Sequence, residues 1–394
     1  QEIYFKHFAL QYLLRRFNKE QEGRLGRNFL FVDITSGCVG LTVWEHGALC
    51  FQHNVHIGTL RLLETFKTNQ RDSRYFPEAL GEYIHAIMEP LWMFVRNHQI
   101  DTVIFSGREA RIVGKQLNLE LDSQSIAEVK PETFYKYYEE SGRLSTSMLM
   151  QKNHISESTA AVISPTVHIY KEILDNIPAT NAVMMGMFYG AQKVKDPALL
   201  YMRAQNLELT RSIAESYYYE PAHAKAMELY SYVIIRAFDR YNGLNERDEF
   251  LLRMAIILYQ IGKYVNLLGS SSSAWNIIRG TDIFGISDKE KDIVACVVYY
   301  DHKGEPTDED EPFRVLPDDS KMTAMKLISI FRLVRAMDMS RKQKLRDVTA
   351  RITGDSLLIE YESDEDTALE TWIFDKEKEL FENVFGMEAK FERR

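Results

Sequence analysis

The sequence predicts an α/β domain, then an all-helical domain, then a small α+β domain. Three observations predict this order. β-rich runs alternate with helical periodicity over residues 28–202, helical periodicity alone continues over 203–340, and residues 341–394 alternate like a hairpin before a last helical pattern. For residues 1–27 the pattern predicts a connecting helix and a linker. The chain has 394 residues, 45% of them hydrophobic, which is enough for two or three buried cores.

The first domain opens with three β-rich runs, FLFVDI, VGLTVWE and ALCFQHNV, within residues 29–55. The dipeptide His46-Gly47 between the last two predicts a tight hairpin turn. Helical and buried-strand patterns then alternate, which predicts a mixed sheet. The predicted helices cover 58–70, 77–98 and 108–118 with a strand over 101–107, two further helices follow in 130–150, and NAVMMGMFYGAQ is a short strand that breaks at Gly186.

Composition excludes several classes of function. A net charge of -9 argues against a nucleic-acid partner, because broad, sequence-independent binding of nucleic acid usually needs a concentrated basic face. No apolar run approaches the roughly 20 residues of a membrane span, and the first residues do not resemble a signal peptide, so we expect a cytoplasmic protein without a membrane partner. Cys38, Cys50 and Cys296 are an odd number without paired metal spacing, so we expect reduced thiols.

A loop of small polar residues follows the first strand. FVDITSGCVG places the acid Asp33 at the strand end and Thr35, Ser36, Gly37 and Cys38 after it. Backbone N–H groups and hydroxyls in such a loop can donate to a phosphate. The same residues are also typical of a tight turn between strands, and the pattern leaves both interpretations open.

Seven weak motifs in order carry a resemblance to a known family. FVDITSG, HNVHIGTLRLLETF, VIFSGREAR, NAVMMGMFYGAQ, LRMAIILYQIGK, VVYYDHKG and LISIFRLVRAMDMS resemble, in sequence and spacing, the exopolyphosphatase and guanosine pentaphosphate phosphohydrolase (Ppx/GppA) family. The resemblance implies an actin-like, ribonuclease-H-like lobe at 28–202, an HD-like helical domain at 203–340 and a small C-terminal domain at 341–394. It also implies a homodimer. The family's N-terminal lobe would precede Gln1, so we expect a divergent member without that lobe in this sequence.

The resemblance also implies site residues. Asp33 matches the acid of the family's Asp-Ile-Gly-Gly-Gly-Ser-Thr-Glu run, which implies a Mg²⁺ contact, and Glu2 lies where the family has its proposed catalytic glutamate. An acid at a helix start is also favoured by the helix dipole, so Glu2 has a second explanation. Arg108 either binds an anion or pairs with Glu109 or solvent. The implied phosphate-binding residues are Asp33, Thr35, Ser36, Gly37, Cys38, Gly107 and Arg108.

The helical domain lacks the residues of an HD metal centre. His223 matches the first histidine, but Tyr259 and Gln260 replace the His-Asp pair and Arg335 replaces the later aspartate. We therefore expect no metal in this domain, because divalent-metal sites do not tolerate this loss of ligands.

Two functions follow from the resemblance. One is a hydrolase that releases orthophosphate from polyphosphate or guanosine pentaphosphate. The alternative is a catalytically impaired member that binds a phosphorylated ligand or acts in regulation, which the replaced glycines of the loop favour.

Overall fold

The structure is a computed structural model. It describes residues 28–119, 121, 126–185, 196–283 and 285–394. The chain divides into two compact units between Leu209 and Thr210. Each unit is described by itself below.

A six-stranded mixed sheet forms the centre of the first unit, in the order β3-β2-β1-β4-β6-β5. Its strands are β1 (Phe29–Ile34), β2 (Val39–Glu45), β3 (Ala48–Val55), β4 (Thr102–Ser106), β5 (Ile126–Val129) and β6 (Asn181–Met185). The strands β1, β4 and β6 run parallel to one another, whereas β2, β3 and β5 are antiparallel to their neighbours. The mixed sheet predicted from the sequence is confirmed.

The pattern of apolar residues explains this sheet. All residues of β4 are buried, as are all of β1 except the intermediate Asp33. Continuous apolar runs are typical of parallel strands covered on both faces. The predicted hairpin turn is present between β2 and β3, with positive φ angles at His46 (52°) and Gly47 (85°). Two central residues with positive φ form the type I′ turn that matches the twist of paired strands.

The longer helices of the first unit lie between and after these strands in the sequence. They are α1 (Thr59–Thr65), α2 (Phe76–Val95), α3 (Arg108–Gln116), α4 (Pro131–Tyr137), α5 (Thr146–Asn153), α6 (Glu157–Asn176) and α7 (Asp196–Glu215), which carries the chain into the second unit. The helix predicted over 58–70 is two elements in the structure, α1 and a separate single turn (Thr68–Arg71). The helix α2 ends at Val95 rather than at the predicted residue 98. The helix α6 contributes Tyr170, whose ring stacks 4.0 Å, centroid to centroid, from that of Phe105 on β4.

The second unit is helical up to Met337. Its long helices are α8 (Pro221–Ala237), α9 (Glu246–Leu258), α10 (Ser270–Gly280), α11 (Asp288–Tyr299) and α12 (Asp318–Met337). Capping boxes fix two of the starts, Asn245 with Asp248 at α9 and Ser287 with Glu290 at α11. Each box satisfies backbone N–H groups that a helix start otherwise leaves unpaired.

The chain ends in a small sheet and one helix. The elements are β7 (Arg346–Thr353), β8 (Ser356–Glu362), α13 (Ala368–Phe385) and β9 (Glu388–Arg393), in the sheet order β7-β8-β9. The predicted hairpin and helix are present, and β9 adds a parallel strand that the sequence pattern does not predict. Within the described ranges, no helix is both long and apolar enough to cross a membrane.

Candidate functional site

Asp33 and Ser106 meet where two parallel strands end. They are register partners on β1 and β4, and the Ser106 hydroxyl donates to Asp33 Oδ1 over 2.9 Å. Ligands of open α/β sheets bind outside the carboxyl ends of parallel strands. The predicted acid Asp33 therefore lies at an edge suited to a ligand.

Gly107 lets the turn after β4 approach β1. Its φ is +105°, and a Cβ there would lie 2.3 Å from the Ile34 carbonyl oxygen and 3.5 Å from Asp33 Oδ1. Residues with a side chain rarely adopt this φ, and 2.3 Å is far below van der Waals contact. Glycine is therefore required here by both backbone conformation and space.

Glu109 brings a second carboxyl group to the same edge. Its side chain is only 4% exposed, and the Thr59 hydroxyl donates to Glu109 Oε1 over 3.1 Å. The other carboxylate oxygen, Oε2, has no hydrogen-bond partner within the described part of the chain. Burial raises the pKa of Glu109, and the nearby Asp33 charge adds to the rise against opposing hydrogen bonds. Such a shift is common at functional sites.

The predicted phosphate loop is held by its own hydrogen bonds. The Thr35 N–H donates to the Cys38 carbonyl over 2.9 Å, and the Thr35 hydroxyl both donates to that carbonyl and accepts from the Cys38 N–H. Two donors that a phosphate would use, the Thr35 hydroxyl and the Cys38 N–H, are therefore engaged within the turn. No described residue accepts from the N–H groups of Ser36 and Gly37.

The start of α1 rests on this loop. Backbone N–H groups of Thr59 and Leu60 donate to the carbonyls of Thr35 and Ser36. A Cβ at Gly58 would lie 2.4 Å from the Cys38 nitrogen, so only glycine permits the approach. The loop therefore keeps its shape through α1, with its carbonyl oxygens on the α1 side.

The remaining predicted residues have different outcomes. Arg108 begins α3 with an exposed side chain, and its charge opposes the burial that raises the pKa of the adjacent Glu109, whose carboxyl group accepts from Thr59. Arg108 remains available to an anion or to solvent. Glu2, and the turn at Gly186 with the residues after it up to 195, lie outside the described residues.

A divalent cation is compatible with this edge. Mg²⁺ usually takes one or two protein carboxylates together with phosphate oxygens and water. The buried Glu109 Oε2 without a described partner and the neighbouring Asp33 carboxylate form such a donor set. Asp33 and Glu109 would hold the ion.

Replacing Glu109 with glutamine should change the pH dependence of stability. The raised pKa means that folding favours the protonated acid, so wild type should lose stability as the pH rises above the ordinary value of 4.5, whereas glutamine cannot ionise. The melting temperature of Glu109→Gln minus that of wild type should therefore increase from about pH 4 to about pH 8. Thermal unfolding across this range measures it, with the exposed Glu64→Gln as control. An offset independent of pH would contradict the assignment.

In the second unit, a closed polar network surrounds His223. Its Nδ1 lies 2.6 Å from Asp338 Oδ2, and its Nε2 lies 2.5 Å from the Tyr259 hydroxyl. Gln260 Nε2 donates to the same hydroxyl, and Gln343 donates to Asp338. Both ring nitrogens of His223 are therefore engaged by side chains. Asp338 was not predicted from the sequence, because no sequence pattern connects a buried aspartate after a helix to a distant histidine.

Arg335 takes part in a second buried network. Its Nε lies 2.9 Å from Asp301 Oδ1, and its terminal nitrogen donates to Glu377 over 3.0 Å. The contact with Asp301 is an ion pair rather than a well-formed hydrogen bond, because both atoms lack an aligned partner. Burial works to raise the pKa of Asp301, but the hydrogen bond from His302 and the Arg335 charge outweigh it and lower the pKa. A guanidinium thus supplies positive charge where the family resemblance places a metal ligand.

The fold and these networks define the class of protein. It is a mixed α/β unit with a candidate anion site at the carboxyl ends of parallel strands, joined to a helical unit and a small α+β end. Residues 208–378 match the model of the Ppx/GppA phosphatase, domain III. Over this segment the chain is similar to the Ppx/GppA phosphatases.

Solved structures of the same family resemble parts of the chain. An exopolyphosphatase from Cytophaga hutchinsonii is 12% identical over 40% of this chain and 53% of its own, with a TM-score of 0.34. The Aquifex aeolicus PPX-GPPA enzyme is 14% identical over 45% of this chain and 57% of its own, with a TM-score of 0.37. The chain thus spans little more than half the length of these structures. No curated protein matches it.

Proposed function

We propose that this protein binds a phosphoanhydride, polyphosphate or guanosine pentaphosphate, at the carboxyl ends of β1 and β4 and releases orthophosphate from it. The observation that carries this proposal is the pairing of Asp33 with Ser106 beside the buried carboxyl group of Glu109. The similarity of residues 208–378 to the Ppx/GppA phosphatases supports the substrate class. The first unit is, on this proposal, an actin-like lobe and the second an HD-like scaffold without a metal.

Each residue has a role set by its contacts. Ser106 orients the Asp33 carboxylate by donating to Oδ1, and the N–H groups of Ser36 and Gly37 supply donors to phosphate oxygens. The exposed Arg108 adds positive charge at the start of α3. When Mg²⁺ is bound, it would neutralise negative charge on the phosphate groups. Glu109, whose pKa is raised by burial, is the second carboxyl group of this edge beside Asp33.

A second candidate function is ligand binding without turnover. The internal hydrogen bonds of Thr35 and Cys38 favour it, because they remove two donors from the loop. The family's Thr-Glu pair is also replaced by Val39 and Gly40. Binding needs fewer donors than stabilisation of a transition state, so loss of donors damages hydrolysis first.

Orthophosphate release separates the two functions. The full-length protein is incubated with Mg²⁺ and long-chain polyphosphate or guanosine pentaphosphate. We expect release by wild type and a loss of about a hundredfold in Asp33→Asn, comparable to the removal of one group that stabilises developing charge. The matched control is Asp72→Asn, an exposed aspartate of the same unit. Tight binding without release would reject the hydrolase in favour of the second function, and neither binding nor release would reject both.

A further inference from the structure

Three different metal-ligand side chains converge at the opposite end of the sheet. Glu45 ends β2, Cys50 lies on β3, and His98 lies in the turn between α2 and β4. One ligand atom from each lies within 4.8 Å of the other two. β2 is antiparallel to β1, so its last residue lies at the amino end of β1, about 15 Å or more from Asp33 along the strand. This cluster is therefore separate from the anion site.

A β-bulge places Cys50 in the cluster. Trp44 pairs with Leu49 and Val43 pairs with Phe51, which leaves Cys50 as the extra residue of β3. Bulges redirect a side chain and are common beside functional sites. Gln205 of α7 clamps the same hairpin, accepting from the Leu49 N–H over 3.0 Å and donating to the Gly47 carbonyl over 3.3 Å. The strand that carries the thiol is thus held from outside the hairpin.

The other two ligands are also oriented. Glu45 Oε2 lies 3.0 Å from His98 Nδ1, and Glu45 Oε1 accepts from the Gln99 N–H over 3.2 Å. The backbone contact fixes one carboxylate oxygen and leaves the other directed at the imidazole, as hydrogen bonds around a metal site orient its ligands. The side chains of Glu45 and His98 are 21% and 18% exposed, so an ion can enter from solvent.

We propose that Glu45, Cys50 and His98 bind a thiophilic divalent cation, for which zinc is the best match. Thiolate, imidazole and carboxylate are the three ligand types of protein zinc sites, at bond lengths of about 2.0–2.3 Å. Tetrahedral bonds of that length separate ligand atoms by about 3.3–3.8 Å, so the cluster closes around the ion with small side-chain movements. A carboxylate and a thiolate neutralise the two charges of the ion.

Three protein ligands leave one coordination position for water or another small ligand. Binding releases the thiol proton of Cys50 to solvent, and when His98 binds through Nδ1 its imidazole hydrogen moves to Nε2. A redox partner is not needed, because neither sulfur nor metal changes oxidation state.

Cobalt(II) is the first probe, since a thiolate ligand gives it a near-ultraviolet charge-transfer band. The protein is prepared without a polyhistidine tag and titrated with Co²⁺, then with Zn²⁺ in competition. We expect one ion per chain in wild type, and at least a tenfold weaker affinity in Cys50→Ser, Glu45→Gln and His98→Gln. Cys38→Ser is the matched control and should keep the band. No band in wild type, or a band that survives Cys50→Ser, would overturn the proposal.

A second measurement uses wild type alone, so it does not depend on the folding of a variant. Alkylation of each cysteine is followed by peptide mass mapping with and without Zn²⁺. We expect Zn²⁺ to slow alkylation of Cys50 at least tenfold and to leave Cys38 unchanged. Equal rates at Cys50 with and without zinc would reject the site and leave the Glu45–His98 contact as a structural one.

Discussion

Replacing Arg335 with alanine should lower the free energy of unfolding of the second unit by about 3 kcal/mol, the lower end of the range for a broken buried ion pair. Among the described residues, the change leaves Asp301, a side chain 11% exposed, with His302 as its remaining direct partner. Glu377 keeps a weaker contact with Arg332 at 3.8 Å, which limits the loss. Urea unfolding followed by circular dichroism measures the difference.

Two controls make the interpretation specific. Arg346→Ala removes an exposed partner of Asp364 and should change stability by about 0.5 kcal/mol or less. The double variant Arg335→Met, Asp301→Asn removes both charges and should recover part of the loss, because a buried pair can be replaced by neutral groups at little cost. If Arg335→Ala were as mild as Arg346→Ala, the buried network would not stabilise the unit.

The charge of Asp301 also sets a pH dependence. Its pKa is lowered in the folded state, so its contribution to stability is present above the ordinary value of 3.8 and is lost as the pH falls through the lowered value. Arg335→Ala removes one cause of the lowering. The stability difference between wild type and this variant should therefore shrink in acid.

Replacing Gly107 with alanine should destabilise the first unit by about 2–5 kcal/mol, the sum of backbone strain and overpacking. The new Cβ would meet the Ile34 carbonyl at 2.3 Å, and that atom is backbone in a central strand that cannot move easily. The turn must open, which separates Ser106 from Asp33. We therefore expect loss of phosphoanhydride binding as well as a lower melting temperature.

Substitutions at two other glycines separate the effect of backbone strain from that of overpacking. Gly354→Ala places alanine at φ +58° with nothing within 4 Å, so it measures strain alone, about 1 kcal/mol. Gly37→Ala has open space and no positive φ, so it should be near neutral for stability. If Gly107→Ala matched Gly354→Ala, the close approach to β1 would not matter.

Local patterns predicted the elements that depend on local rules. The runs of β1 to β4 and the His46-Gly47 turn follow from apolar alternation and turn chemistry. The helix α6 was missed because twelve of its residues are buried, so no polar face marks its period. Helix α2 was predicted three residues too long, and those residues form the turn that carries His98. The strand β5 has only four residues, and both β5 and β9 depend on pairing with distant partners.

The site was predicted only in part for a similar reason. Asp33 was predicted from its place at a strand end, and Gly107 from its place in a glycine turn. The hydrogen bonds between Thr35 and Cys38 depend on the side-chain rotamer of Thr35, which the sequence does not indicate. Glu109 lies one residue before Ala110 and four before Val113, all buried, and this helical spacing was a signal that it faces inward. The hydrogen bond between His223 and Asp338, and the proximity of Cys50 to His98, involve residues that are far apart in the sequence.

The phosphate site at the ends of β1 and β4 is tested most directly by measuring how Mg²⁺ changes the affinity of the protein for polyphosphate. Isothermal titration is carried out with and without Mg²⁺ on wild type, Asp33→Asn and the control Asp72→Asn. We expect Mg²⁺ to strengthen polyphosphate binding at least tenfold in wild type and Asp72→Asn. It should have little effect on Asp33→Asn, because this variant keeps the hydrogen bond from Ser106 but loses the carboxylate charge. The same Mg²⁺ effect in all three proteins would contradict a phosphate site at the ends of β1 and β4.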